Sequence, residues 1–303
     1  MKKYVLSSFL VLVVLVQFAA FAQAQTVTVQ HELGTVVVPK NPQNVVVFDY
    51  GILDVLRAME VEVKGLAKSN VPMYLKEFQD KQYVDVGTLF EPNFERIYEL
   101  RPDLIIISGR QAAQFDELNR IAPTVYVTID PQDYAGSLAH NLRLLGAIFE
   151  KEDFIEKEIE RLNTAFAQVQ QKAANSGLRT LFLMVSEGSL SVYGPDSRFG
   201  VVHKEFGFIP ADPQIEQANH GQNVSFEYLL KINPDLILVL DRNAIVGGSV
   251  SAQQVLDTAL VHMTEAAQND RIVYLNSPVW YTATGGLEAT WQMIEDVEGA
   301  LAR

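Results

Sequence analysis

Three arginines stand in predicted loops of this 303-residue chain, where they could act together on an anion. Arg110 and Arg242 each follow a continuously apolar segment, and Arg198 lies in the Gly- and Pro-bounded stretch YGPDSRFG. A single arginine of this kind is most often a solvated surface charge. Three guanidinium groups gathered at one place would instead bind an anion through bidentate, charge-assisted hydrogen bonds.

A histidine and a tyrosine occupy two further predicted loops. His220 lies in the polar stretch ANHGQN, and Tyr281 follows Trp280 in SPVWYTATGG. Taken alone, such a histidine is more often structural, and such a tyrosine more often packs or lies at a rim. As a pair they suggest iron, because a phenolate oxygen is a hard donor suited to Fe(III) and imidazole commonly accompanies it. Two protein ligands cannot complete an octahedral iron, so a chelator would have to supply the other four.

The remaining histidines fall in strand or helix patterns and are predicted to be structural: His31, His140, His203 and His262. No glycine-rich dinucleotide motif, phosphate-loop lysine, G-x-S-x-G or H-E-x-x-H occurs, and there is no cysteine. The sequence therefore offers no catalytic constellation. We predict a protein that is not an enzyme and has no intrinsic cofactor.

The charge balance limits the partners. The formal net charge is −13, which argues against nucleic acid or anionic lipid as a partner. An anionic small ligand would therefore need a local cluster of arginines.

The first 24 residues have the pattern of a secretory signal peptide. Lys2 and Lys3 precede an apolar run that ends in the small-residue motif AQA at residues 22–24. An uncleaved membrane anchor is the alternative, because the run approaches the length that spans a bilayer. With no cysteine to carry a lipid, we expect a mature protein that is free in the periplasm.

One segment of the chain occurs twice. Residues 94–110, FERIYELRPDLIIISGR, match residues 226–242, FEYLLKINPDLILVLDR, at 7 of 17 positions. Each copy predicts a short helix, a Pro-Asp break and a buried strand that ends on Arg110 or Arg242. The repeat indicates two homologous lobes.

The helix of each copy has matching residues at its start. Asn93 and Ser225 are predicted N-caps, since short polar side chains favour that position. Glu95 and Glu227 follow in the first turn, where negative charge is favourable.

Strand and helix patterns alternate in both halves of the chain. Alternation around Gly34 predicts a hairpin, and the continuously apolar strands that follow predict parallel sheets covered on both faces. We expect an N-terminal lobe over residues 25–145 and a C-terminal lobe over 178–303. A helix is also predicted over 252–268.

The region 146–177 is predicted to connect the lobes. Within it, apolar residues recur at helical spacing over about 25 residues: Ile155, Ile159, Leu162, Phe166 and Val169. A helix of that length spans roughly 37 Å and would act as a stiff strut. The predicted fold class is therefore α/β, with two Rossmann-like lobes joined by one long rigid helix and a ligand cleft between them.

At this point the sequence resembles a known family, the substrate-binding proteins of ABC importers for ferric siderophores, vitamin B12 and haem. The resemblance covers essentially the whole mature chain. Its most specific marks are the two Glu-x6-Pro-Asp-Leu-Ile segments, YGPDSRFG and WYTATGGLE. Within the family the chain is most similar to periplasmic binders of ferric catecholate siderophores, which take tetradentate bis-catecholates and petrobactin.

This resemblance implies a role for each candidate residue. His220 and Tyr281 would ligate the iron of the bound siderophore, which places the iron closer to the second lobe. The arginine cradle of the ligand would consist of Arg110, Arg198 and Arg242. Trp280, next to Tyr281, is predicted to contact the ligand and to report its binding by fluorescence.

Glu95 and Glu227 would dock on the permease of the importer. The implied function is capture of a ferric siderophore by a monomer and its delivery for iron uptake. Haem or another iron chelate is the alternative ligand, and a metal-assisted enzyme on the same scaffold is the more remote one.

Overall fold

The computed structural model describes residues 25–216 and 220–303. These residues form a two-stranded hairpin sheet, a five-stranded sheet in the first half of the chain and a six-stranded sheet in the second. The predicted signal peptide, residues 1–24, lies outside the described residues. No helix in the described part of the chain is long and apolar enough to cross a bilayer.

Both halves of the described chain contain strands. The first half holds β1 (Thr26–His31), β2 (Gly34–Pro39), β3 (Val45–Val47), β4 (Gly65–Leu66), β5 (Val84–Asp85), β6 (Leu104–Ile107) and β7 (Thr124–Tyr126). The second half holds β8 (Arg179–Ser186), β9 (Ser189–Tyr193), β10 (Ile209–Pro210), β11 (Gln222–Val224), β12 (Leu236–Asp241) and β13 (Ile272–Tyr274). Strands β1 and β2 form the hairpin predicted around Gly34.

Helices surround both sheets. The first half contains α1 (Tyr50–Ala58), α2 (Phe94–Leu100), α3 (Phe115–Ile121), α4 (Tyr134–Phe149) and α5 (Glu152–Ser176), with 3-10 helices over Met73–Gln79 and Gly109–Gln114. The second half contains α6 (Val201–Lys204), α7 (Phe226–Ile232), α8 (Asn243–Val246), α9 (Ala252–Leu256), α10 (Ala259–His262), α11 (Glu265–Gln268), α12 (Ser277–Thr282) and α13 (Leu287–Leu301).

The two main sheets share one strand order. The first reads β5-β4-β3-β6-β7 and the second reads β11-β9-β8-β12-β13, with the short β10 beside the start of β8. Leaving β10 aside, each sheet therefore places its strands in the order third, second, first, fourth and fifth. The repeated segment supplies the fourth strand, β6 or β12, next to the first, where the strand order reverses. The prediction of an α/β fold with two Rossmann-like lobes is confirmed.

The second sheet departs from the predicted parallel arrangement. All pairs in the first sheet are parallel, but β9 runs antiparallel to β8, and β11 runs antiparallel to β9. The cause is a two-residue turn at Glu187 and Gly188, whose φ angles of 50° and 82° suit a tight hairpin. The prediction of a fully parallel sheet is wrong for this lobe.

The helix predicted over residues 252–268 is also wrong as a single element. Three short helices, α9, α10 and α11, replace it. Ser251, Thr258 and Thr264 precede them, and each side-chain oxygen accepts a hydrogen bond from a backbone amide of the helix that follows. These hydroxyl caps restart the helix each time, because they satisfy amides that would otherwise have no partner.

The Pro-Asp break of the repeat has the same role in both lobes. The Asp103 carboxylate accepts the backbone amides of Gln43 and Asn44, at 3.0 and 2.9 Å, just before β3. The Asp235 carboxylate accepts the backbone amide of Arg179, at 2.9 Å, where β8 begins. Each aspartate therefore fixes the entry of the first strand beside the fourth.

The helix caps of the repeat differ. Asn93 accepts a hydrogen bond from the backbone amide of Arg96, as its predicted N-cap role requires. Ser225 occupies the N-cap position of α7, but its side chain makes no capping bond. It bonds to Glu227 instead, and this bond lowers the pKa of the glutamate.

The second sheet is buried on both faces. In β12, Leu236, Leu238 and Leu240 point to a core that continues through α5 into the first lobe. Ile237 and Val239 point to a separate core on the opposite face. This alternation follows from the two-residue period of a strand, and it lets one apolar strand serve two cores.

Helix α5 confirms the predicted connection. It spans 25 residues, and the five apolar positions that define its face are all buried. Phe166 on this face lies between Tyr134 of α4 and Phe206 after α6, with ring centroids 6.4 and 5.7 Å apart. The predicted boundary at residue 145 falls within α4, which runs to Phe149, and the division into lobes at 145 and 178 stays a prediction.

The C-terminal helix α13 returns to the first lobe and is held there by a buried carboxylate. Asp54 in α1 is fully buried and accepts the backbone amides of Ala289 and Glu288, at 2.7 and 3.3 Å, in the first turn of α13. Tyr74 donates its hydroxyl to the same carboxylate at 3.2 Å, and the Arg57 guanidinium lies 3.8 Å away. Asp54 thus caps a helix from the far end of the chain.

We expect Asp54 to make the stability depend on pH. Burial raises its pKa from 3.8 to about 6, although the hydrogen bond from Ala289 and the positive charge of Arg57 oppose this shift. The folded state binds this proton more tightly than the unfolded state does. The stability that the protonated Asp54 contributes is therefore complete below about pH 4 and is lost as the pH rises through about 6. The loss amounts to roughly 3 kcal/mol, at about 1.4 kcal/mol per pKa unit. Relative to Asp54→Asn, the wild type should lose that free energy of unfolding between pH 4 and pH 7 in denaturant titrations.

The exposed Asp153→Asn variant, in the first turn of α5, serves as the control and should follow the wild type at every pH. Parallel pH profiles for the wild type and Asp54→Asn would show that the carboxylate does not titrate in this range.

Candidate functional site

A cleft of about 310 Å³ lies where the carboxyl ends of the first sheet's strands face the second lobe. Ligands of open α/β sheets bind at such strand ends, at the point where the strand order reverses. The lining residues are Asp49, Ile52, Ser108, Gly109, Arg110, Val127, Thr128, Ile129, Pro131, Asn141, Arg198, Tyr281, Thr282, Thr284 and Gly285.

Three guanidinium groups meet at Tyr281. Arg110 and Arg198 donate to the Tyr281 carbonyl oxygen at 3.2 and 3.3 Å, and Arg242 donates from Nε to the phenol oxygen at 3.1 Å. The Arg198 guanidinium also stacks between two rings, 4.8 Å from the centroid of Tyr281 and 4.9 Å from that of Phe199. The three predicted arginines are therefore brought together.

Each strand-end arginine is fastened to the neighbouring first strand of its sheet. Arg110 lies 3.7 Å from the carboxylate of Asp49, which follows β3. Arg242 donates to the hydroxyl of Ser186 at 2.9 Å, at the end of β8. The duplicated architecture therefore places two equivalent arginines, one from each lobe.

The electrostatics of the cluster favour an anion. Burial alone would raise the pKa of the Tyr281 phenol, but the hydrogen bond from Arg242 and the charges of Arg242, Arg198 and Arg110 outweigh it, so the pKa lies below 10.0. Loss of solvation against the cleft walls lowers the pKa of Arg198, and the nearby positive charge of Arg110 adds to this effect. Water in the open cleft still reaches Arg198, which is exposed. The site combines a phenol whose pKa is lowered with a local excess of positive charge.

Both lobes hold the segment that carries Tyr281. Helix α12 follows β13 of the second sheet, and the next residues pack on the first lobe. The carbonyl oxygen of Thr284 approaches Gly51 of α1 so closely that a Cβ there would lie 2.7 Å from it. The backbone amide of Gly285 donates to the Tyr134 hydroxyl at 3.2 Å. The position of Tyr281 therefore depends on both lobes.

The periplasmic binding protein family model matches residues 45–279, which include the long helix and all three arginines. The chain belongs to this family. The petrobactin-binding protein YclQ of Bacillus subtilis is 42% identical over 284 residues, which are 92% of this chain and 89% of YclQ. The ferric-anguibactin-binding protein FatB of Vibrio anguillarum is 30% identical over 280 residues, which are 89% of this chain and 86% of FatB.

Solved structures give the same result. The crystal structure of YclQ matches with a TM-score of 0.90 at 41% identity, covering 92% of this chain and 99% of that one. The periplasmic catecholate-siderophore binding protein VctP of Vibrio cholerae matches with a TM-score of 0.87 at 36% identity, covering 91% and 100%. The two-lobe architecture is therefore that of the periplasmic binding proteins.

In this periplasmic binding protein Trp280 does not line the cleft, which corrects the predicted ligand contact. Its side chain is fully buried, packs near Phe182 and Phe206, and donates its ring N–H to Asp296 at 2.8 Å. The reason is helical geometry: Trp280 and Tyr281 are consecutive in α12, so their side chains leave the helix in different directions.

His220 is exposed and is not among the residues that line the cleft. Its neighbour Gly221 lies against the ring of Tyr193, where a Cβ would come within 2.7 Å of the ring. Tyr193 in turn is close enough to Arg198, Arg242 and Tyr281 for their charges to affect its pKa. The ring of Tyr193 therefore lies between Gly221 and the arginine cluster. Iron ligation by His220 stays a prediction. Within residues 25–216 and 220–303, no three His, Cys, Asp or Glu side chains are grouped to hold a metal ion.

The remaining predicted residues lie away from the cleft. Glu95 and Glu227 are exposed in the first turns of α2 and α7, at equivalent places in the two lobes. A larger, shallow hollow of about 1060 Å³ runs along the outer face of α5. Its lining is mostly the charged and polar surface of α5, with Arg143 of α4 paired to Glu156, so we assign ligand binding to the cleft instead.

Asp49 and Ser186 were not predicted from the sequence. Asp49 directly follows the apolar segment NVVVF, a placement that could have marked it as a strand-end residue. Ser186 begins the turn SEGS, which was not recognised as a hairpin.

The hydrogen bond from Arg242 should set the ionisation of Tyr281. In Arg242→Gln the bond and one positive charge are lost while burial remains, so the pKa of Tyr281 should rise above its wild-type value. The measurement is a pH titration of carbon-13-labelled tyrosine by NMR, with Tyr281 assigned from Tyr281→Phe. As a control, Arg161→Gln removes an arginine that stacks on Trp291 of α13 and should leave the Tyr281 pKa unchanged. An unaltered Tyr281 pKa in Arg242→Gln would contradict this account.

Proposed function

We propose that this protein captures a ferric catecholate-type siderophore, of the tetradentate kind, and delivers it to an ABC importer for iron uptake. The observation that carries the proposal is the meeting of three guanidinium groups at Tyr281 in the cleft. The protein acts by binding and is not an enzyme. Iron arrives as cargo within the siderophore and not as a resident cofactor.

The chemistry of the cluster suits this ligand. Catecholate oxygens bound to Fe(III) form a complex of net negative charge, and the forked donors of arginine match paired oxygens. The cluster provides this local positive charge in a chain whose formal net charge is −13. A haem ligand would favour a broader and more apolar cleft.

The relatives support the same class of ligand. YclQ is named for binding petrobactin, FatB for binding ferric anguibactin and VctP for binding catecholate siderophores. Their identities of 30 to 42% extend over most of the chain. A shared kind of cargo is the simplest account of this similarity.

Tyr281 and His220 are the proposed protein ligands of the iron. The lowered pKa of Tyr281 favours the phenolate, which is the form that binds Fe(III). His220 would add a nitrogen donor from the edge of the second sheet, so the iron would lie closer to the second lobe. Two protein donors match a chelator that supplies four.

We place the protein in the periplasm, as a monomer that meets the permease of the importer and does not bind nucleic acid. Glu95 and Glu227 are proposed to contact that permease, one from each lobe. Their exposure and equivalent positions support two matched contacts.

The binding proposal is tested by titrating the purified protein with ferric complexes of a tetradentate bis-catecholate and a hexadentate tris-catecholate. Tryptophan fluorescence and the ligand-to-metal charge-transfer band are recorded together. The tetradentate complex should bind more tightly, and its band should shift on binding because Tyr281 joins the iron. Arg198→Gln should weaken binding about 10- to 100-fold, the scale of one lost charge-assisted bond.

Tyr281→Phe should abolish the band shift, whereas the matched control Tyr98→Phe, an exposed tyrosine of α2, should not. Direct ligation is wrong if Tyr281→Phe keeps the shift. Haem is titrated in parallel, and a Soret shift at stoichiometric haem would favour the alternative ligand.

Delivery should depend on the two glutamates while capture does not. The double variant Glu95→Ala with Glu227→Ala should bind the ferric complex with wild-type affinity but fail to support its uptake in iron-limited cells. The helix-terminus effect of each glutamate is only about 0.3 to 1 kcal/mol, so the fold should persist. Glu117→Ala with Glu152→Ala removes first-turn acids from α3 and α5 and should transport normally. Equal uptake by both double variants would exclude the docking role.

A further inference from the structure

The equivalence of the two lobes extends one residue beyond the arginines. Gln111 follows Arg110 and Asn243 follows Arg242, and both side chains are buried, with 0% and 3% of their surface exposed. A buried carboxamide is unfavourable unless its donor and acceptor are both bonded. The bonds that these two side chains make are therefore informative.

In the first lobe the carboxamide of Gln111 closes the turn that carries Arg110. Its oxygen accepts the backbone amide of Ser108 at 3.1 Å, the residue before the 3-10 helix over Gly109–Gln114. Its nitrogen donates to the backbone carbonyl of Leu89, in the loop between β5 and α2. One side chain thus fixes the start of the turn and ties it to a neighbouring loop.

In the second lobe the carboxamide of Asn243 also accepts one backbone amide and donates to one backbone carbonyl. Its oxygen accepts the backbone amide of Glu187 at 2.8 Å, and its nitrogen donates to the carbonyl of Val250 at 2.7 Å. Glu187 directly follows Ser186, the residue to which Arg242 donates. Arg242 and Asn243 therefore hold two consecutive residues at the end of β8.

Close packing around Asn243 supports a fixed geometry. A Cβ on Gly248 would lie 2.6 Å from the Asn243 Cβ and 2.9 Å from its side-chain oxygen, so only glycine fits there. The loop over residues 244–250 is thereby closed against the carboxamide.

We propose that Gln111 and Asn243 are positioning residues that hold Arg110 and Arg242 in their binding arrangement before the ligand arrives. An arginine side chain loses conformational entropy when it is ordered. A site that orders the side chain before binding therefore binds its ligand more tightly. The effect on affinity rests on the proposed function, whereas the ordering of the arginines does not.

The test uses the near-isosteric variants Gln111→Met and Asn243→Leu. In ligand-free protein, nitrogen-15 relaxation of the arginine Nε–H groups should show a lower order parameter for Arg110 in the first variant and for Arg242 in the second. The signals are assigned from Arg110→Lys and Arg242→Lys. Each variant should also weaken binding of the ferric bis-catecholate complex about tenfold, the scale of ordering one long side chain on binding.

Core variants control for simple loss of stability. Val63→Ala and Val261→Ala remove buried methyl groups from the two lobes, and both should leave arginine order and affinity unchanged. Unchanged order parameters in Gln111→Met and Asn243→Leu would overturn the proposal. If either apolar variant does not fold, Gln111→Ala or Asn243→Ala provides the same measurement with a smaller side chain. Failure of the wild type to bind the ferric complex would refute the proposed function and leave the relaxation result to decide the positioning role.

Discussion

Three positive charges gathered around one tyrosine repel one another, and much of the structure is arranged to hold them in place. Arg110 is fastened beside a carboxylate, Arg242 beside a hydroxyl, and Arg198 between two aromatic rings. Burial alone would raise the pKa of Tyr281, but the hydrogen bond from Arg242 and the three positive charges lower it, so the charges that repel one another also favour ionisation of the phenol. An anion bound among these guanidinium groups would offset their mutual repulsion.

Such a cluster needs lobes that keep a fixed relation to each other. Helix α5 contributes to a core that is continuous between the two lobes, with Phe166 packed against rings from both. Helix α13 then returns to α1, where the buried Asp54 holds its first turn. Tyr281 lies just before α13, so its position depends on how the two lobes are placed relative to each other. Small adjustments of loops are therefore a more natural response to ligand than wide closure about a hinge.

Much of this arrangement could be predicted from the sequence because the repeat specifies it twice. The two lobes, the long helix and the three arginines follow from local patterns and from the family resemblance. The antiparallel β9 depends on the tight turn at Glu187 and Gly188, which apolar patterning alone does not reveal. The helix predicted over 252–268 is interrupted because Thr258 and Thr264 act as new N-caps. Trp280 was misplaced because adjacency in sequence does not mean a shared direction on a helix. The capping role of Asp54 could not have been predicted, since the two amides that it accepts lie more than 230 residues away.

The return of α13 also determines the order in which the molecule can be completed. The first lobe is synthesised early, yet the carboxylate of Asp54 receives its backbone partners only from Glu288 and Ala289, in the final helix. Without those residues α1 carries a buried carboxylate that lacks its cap, and the segment that carries Tyr281 is left with its contacts with Arg110, Gly51 and Tyr134 on the first lobe. Loss of α13 would therefore leave Asp54 without its cap and loosen the segment beside the cleft, although neither sheet contains a residue of that helix.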